Sequence, residues 1–162
     1  MVKTEALPLS LLYERDETAW LEAMAALVAE GRFAEVDQRN LSEYLSDMAK
    51  RDRREVTSRL GVLIAHLLKW RHQPGRRSGS WRETVEVQRQ ELAELLESGT
   101  LQNHASEVLG KTYANGVRQA VAETGLAEAV FPSACPFTLE EVLAEPLEGD
   151  AAFRGVATDD VN

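Results

Sequence analysis

The chain has 162 residues, 44% hydrophobic and 28% charged, with a formal net charge of -9 and a sequence pI near 4.9. That length suits one domain able to bury most of its apolar surface, and the acidity argues against obligate duplex-DNA binding, which leans on a net basic surface. A single cysteine, Cys135, excludes an internal disulfide and fits a reducing cytoplasm, and no span near about twenty apolar residues is present to cross a membrane.

The N-terminus "MVKTEALPLSLLYERD" has no apolar run of the signal-peptide kind, and residues 1–13 read as an extended lead-in containing Pro8. From Asp16 onward Trp20, Met24, Leu27 and Val28 recur at helical spacing, and Gly31 supplies a stop. Asp37 is placed to cap a second helix whose stripe holds Leu41, Tyr44, Leu45 and Met48. The stripe fails between Ala49 and Val56, at "KRDRRE", then resumes with Leu60, Leu63, Ile64, Leu67 and Trp70. A kink or break is expected near the charged stretch or Gly61, because nothing apolar holds the middle against a core.

"QPGRRSGS" is the clearest loop, and Ser80 with Glu83 then has the spacing of a capping box. The helix that follows turns Trp81, Val85, Leu92, Leu95 and Leu96 inward and stops at "SGT". The next runs from about Leu101 to Thr124, with Val108, Leu109, Tyr113, Val117 and Val121 inward and Gly125 as its C-cap. Gly110 and Gly116 inside it each cost about 1 kcal/mol relative to Ala, so close approach of a neighbouring helix is expected there. "FPSACPF" is a rigid connector, and Thr138 with Glu141 forms a second capping box opening a short helix to about Ala144. Residues 146–162 are acidic and short of large apolar side chains, and are expected to be disordered. The fold expected is all-α: a single helical domain over residues 14–145, an irregular antiparallel bundle of about five helices.

Charge is distributed unevenly. Residues 48–90 carry eleven Lys plus Arg against four Asp plus Glu, inside an otherwise strongly acidic chain. The densest part, "HLLKWRHQPGRRSGSW", has no acid at all. Lys69, Arg71, Arg76, Arg77, Ser80 and Arg82 are therefore a candidate anion or partner site, since guanidinium groups beside the unpaired amides of a helix start attract anions. The competing reading of the same residues is a solvated turn, or a counter-charge to the acidic body. Trp70, Trp81 and His66 read as structural, with His66 a core histidine whose burial disfavours its charged form. Cys135 reads as a buried connector cysteine, and Asp52 as a partner for cations of its own segment. Histidine and cysteine spacings support neither a zinc nor a di-iron site, and no glycine-rich phosphate loop follows a strand, so neither metal nor cofactor is expected.

Four segments, "YERDETAW", "HLLKWRHQP", "SWRETVEVQR" and "ETGLAEAVFPSACPFTLEEVL", in this order and spacing resemble the bacterial family catalogued as domain of unknown function 29, from about Tyr13 to Leu143. Ala49 departs from the pattern, which has Gly after the methionine. The resemblance implies a compact all-helical bacterial protein and no assigned activity. Two function classes follow from the residues. The favoured one is a non-catalytic interaction module using residues 48–90 to engage an acidic protein, with a phosphate group or single-stranded nucleic acid as alternatives and a homodimer compatible. The other is an enzyme of unrecognised type drawing on His66, His72, Arg76, Arg77 and Glu83.

Overall fold

The computed structural model describes residues 7–150. Among them the secondary structure is helical throughout, with no strand: α1 (Leu9–Arg15), α2 (Glu17–Ala29), α3 (Gln38–His72), α4 (Gly79–Leu95), α5 (Gly99–Thr124) and α6 (Leu139–Ala144), with short 3-10 turns between several of them. The all-α expectation holds. Packing gathers into two compact units divided between Arg51 and Asp52, and α3 contributes to both.

In the first unit, part of the expected extended lead-in is helical. α1 starts after Pro8, whose carbonyl accepts the amides of Leu11 and Leu12. Asp16 caps α2 by accepting the Ala19 amide at 3.0 Å. Trp20 and Met24, four apart on α2, are buried side by side. The Trp20 ring meets Tyr13 edge-on at 4.7 Å and lies 5.9 Å from Tyr44, while its indole N–H donates to Asp37 at 3.2 Å. Asp37 also accepts from the Asn40 amide and side chain, so one carboxylate caps α3 and holds α2 to it. Leu45, expected on the inward stripe, is 60% exposed.

α3 carries no break: its helical assignment runs unbroken from Gln38 to His72, through the charged stretch and Gly61. Strong helix formers fill that stretch, and it is flanked by the pairs Lys50–Asp47 (3.6 Å) and Arg59–Glu55 (3.0 Å) at helical spacing.

The second unit is built on three long helices. Arg59 reaches Gln88 and Glu91, while Lys69 reaches Trp81, so α3 and α4 run antiparallel. Thr57 meets His104, Ile64 abuts Gly116 and Lys69 meets Glu123, so α3 and α5 run parallel. The core holds Val56, Leu60, Ile64, Leu68, Val85, Leu92, Tyr113 and Val142 among others. α6 opens with the expected capping box between Thr138 and Glu141. It is tied to α4 by Arg89, whose guanidinium donates to the Val142 and Glu141 carbonyls.

Two further expectations change. The cap of α4 is Ser78, whose hydroxyl accepts the Trp81 amide at 3.3 Å, so Ser80 lies inside the helix and makes no capping box with Glu83. The tail does not leave the fold at Pro146. Leu147 packs against the core, and the Glu148 carbonyl accepts the Trp70 indole N–H at 2.7 Å. Residues 151–162, the rest of the tail expected to be disordered, lie outside the described residues.

Candidate functional site

The candidate hairpin residues are unequally covered: Lys69 is buried, Arg77 and Arg82 are half-buried, and Arg71, Arg76 and Ser80 are exposed. Lys69 is only 6% exposed; its ammonium lies 2.6 Å from Glu123 and 4.5 Å from the centre of the Trp81 ring. Burial alone would raise the Glu123 carboxyl, but hydrogen bonds from Lys69 and Gln119 overrule it and hold the group below its ordinary value. Arg71 stacks over Phe137 at 4.8 Å. Arg77 donates through Nε to the Trp70 carbonyl at 2.8 Å, satisfying one of the last carbonyls of α3, and its guanidinium lies 5.1 Å from the Trp70 ring centre. Ser80 Oγ sits 3.0 Å from Ser78 Oγ, and Arg82 Nε faces Asp150 at 3.9 Å. Arg76 is exposed on the turn. Trp70 is 1% exposed, while Trp81 is half-buried.

His66, His72, Arg76, Arg77 and Glu83, the candidate enzymatic set, do not converge. No hydrogen bond or ion pair joins any two of them among the described residues. His66 is half-buried, with Nδ1 2.9 Å from the Val62 carbonyl, and burial lowers its pKa as expected. His72 is lowered too, by burial and then by Arg71, and its ring meets Phe131 edge-on at 5.1 Å. Cys135 is half-buried, with its thiol donating to the Phe137 carbonyl at 3.3 Å. Among the described residues no group of three His, Cys, Asp or Glu is arranged to hold a metal ion. No helix there is long and apolar enough to cross a membrane.

A different site emerges where α3 and α5 run side by side. A groove of about 540 Å³ is lined by the cations Arg53, Arg54 and Lys111, with His104, Ser58 and Asn115 among the polar groups between them, and by no acid. Among the described residues no carboxylate lies within ion-pair distance of the three cations, nor does Asp52 pair with a neighbour as expected. Thr57 spends its hydroxyl proton on the Arg53 carbonyl at 3.0 Å, so the 3.1 Å contact with His104 Nε2 is one in which the imidazole N–H donates. That contact fixes the ring against the groove wall. The basic stretch of α3 is legible in the sequence, but its juxtaposition with His104 on α5 is not. Their common signal, cations and hydroxyls three and four apart on α3, acquires meaning only once the parallel register with α5 is known.

A family model described as "Domain of unknown function DUF29" matches residues 12–147. No curated protein and no solved structure matches the chain.

Proposed function

The chain belongs to the family described as domain of unknown function DUF29, and from that premise we propose that this member is a non-catalytic interaction module whose α3–α5 groove receives a phosphate-bearing partner. The carrying observation is the acid-free lining of that groove in a chain whose net charge is -9. Three cations with no carboxylate among them make a local positive field that attracts an anion, against the sign of the whole chain. Two arginines supply planar forks that match phosphate oxygens bidentately, and Lys111 with the neutral donors Ser58 and Asn115 can complete the shell. Its volume lies in the range of small-ligand sites, roughly 300 to 1,000 Å³. Apart from His104 no aromatic ring lines it, which favours phosphate over the base stacking that single-stranded nucleic acid uses.

Isothermal titration of the full chain with inorganic pyrophosphate tests the reading. Binding is expected, weakening as salt rises, and falling at least about tenfold in the Arg53→Gln, Arg54→Gln, Lys111→Gln variant. No binding, or binding indifferent to that variant, would overturn it.

A further inference from the structure

The basic hairpin and the end of the described chain fit one another as a receptor fits a peptide. Leu147 to Asp150 closes a β-turn, the Asp150 amide donating to the Leu147 carbonyl at 3.1 Å, with Gly149 third in the turn at φ +72°. Each position of this turn meets a separate reader. Leu147 packs on the core; the Glu148 carbonyl accepts the Trp70 indole N–H; Asp150 faces Arg82. Arg77 covers Gly149 so closely that a Cβ built there would lie 2.8 Å from Nη1. The contacts and the backbone together favour an apolar–x–glycine–acid turn, the glycine being set by its φ of +72° rather than by the movable tip of Arg77.

The middle of the turn is also open to solvent. Glu148 and Gly149 are exposed, Leu147 is only half-buried, and a cleft of about 310 Å³ separates the segment from Leu67, Arg71 and Arg89. The exposed part of such a segment opens more readily than the core beneath it, while the Asp150 side chain, 16% exposed, anchors its end.

We infer that the hairpin of Trp70, Arg77 and Arg82 is a recognition site for an acidic glycine turn of a partner protein, which the chain's own Leu147–Asp150 occupies as a competitor. Such a partner binds by displacing the strap. The cis segment has the advantage of high effective concentration, so a free peptide competes poorly until the strap is weakened. This site is separate from the α3–α5 groove and does not depend on it.

The test uses the full chain and a labelled synthetic peptide of residues 145–152, read by fluorescence anisotropy. Gly149→Ala places a side chain in left-handed backbone, and the variant is expected to bind the peptide about tenfold more tightly than the unaltered chain. Asp150→Lys, which reverses the charge facing Arg82, is the second strap variant, expected to act in the same direction. Adding Arg77→Gln to either, or using a peptide that itself carries Gly149→Ala, is expected to abolish the gain. Tryptophan emission should shift to the red when the strap opens and return on peptide binding. The Arg53, Arg54, Lys111 variant should bind the peptide as the unaltered chain does. If both strap variants keep their helical circular dichroism and neither binds the peptide better than the unaltered chain, the inference is wrong.

Discussion

Lys69 sets the energetic stakes at the scale of single residues. Its ammonium is withdrawn from water and satisfied by one carboxylate and one aromatic face. Removing the carboxylate strands a buried charge, whereas removing the ammonium leaves Glu123 partly in water, where it can be solvated. Glu123→Ala is therefore expected to destabilise by about 1 to 3 kcal/mol, discounted because Glu123 is 38% exposed. Lys69→Met, which keeps the stem packed on Trp81, should cost less. Chemical denaturation of the two variants decides the order, and a larger loss in Lys69→Met would show that packing rather than charge dominates. The same scale marks a limit on reading a linear sequence. Ser78 and Ser80 are equally good caps by type, and Ser80 has the better spacing to Glu83. The choice falls to Ser78 because Pro74–Arg76 forms a 3-10 turn and Arg77 ties back to the Trp70 carbonyl, which starts α4 sooner.

Two glycines of α5 separate what a sequence can say about an element from what it cannot. Both looked like sites of close approach. A Cβ on Gly116 would lie 2.7 Å from Ile64 Cγ2 and 3.3 Å from the Ala65 amide nitrogen, so this glycine does admit α3; one on Gly110 would meet nothing within 4 Å. Gly110→Ala is thus expected to stabilise by about 1 kcal/mol through helix propensity alone, and Gly116→Ala to destabilise by about 1 to 3 kcal/mol by forcing α3 and α5 apart. Thermal melts of the pair check this, and stabilisation by both would mean that the α3–α5 contact yields easily. Helix periodicity, Gly125 as the cap of α5 and the Thr138–Glu141 box were legible because they are encoded within a few residues. Continuity of α3 was not, because the apolar gap masks the helix propensity of the charged residues filling it.

At the scale of the whole molecule, what escaped the sequence is what depends on register between distant segments. Thr57 and His104 are 47 residues apart, and Trp70 and Glu148 are 78 apart; no local pattern links either pair. The electrostatic response of the chain follows from the same packing. Burial lowers both His66 and His72 from their ordinary 6.5, and nearby Lys69 and Arg71 add to the effect, against an opposing pull from the Val62 carbonyl on His66. Below about 6.5 the unfolded chain then binds more protons than the folded one, so stability rises with pH through this window and falls on acidification. The carboxylates Glu35 and Glu123 are held below their ordinary 4.5, so their contribution is complete above that value and is lost only at lower pH. Acid destabilisation should therefore come in two separable stages, histidine first. Melting temperatures measured from about pH 7 to about pH 5 are expected to fall in the unaltered chain. The His66→Leu, His72→Leu variant should be flatter across that interval and rejoin the acid limb below it. An unchanged slope in the double variant would assign the upper stage to other groups.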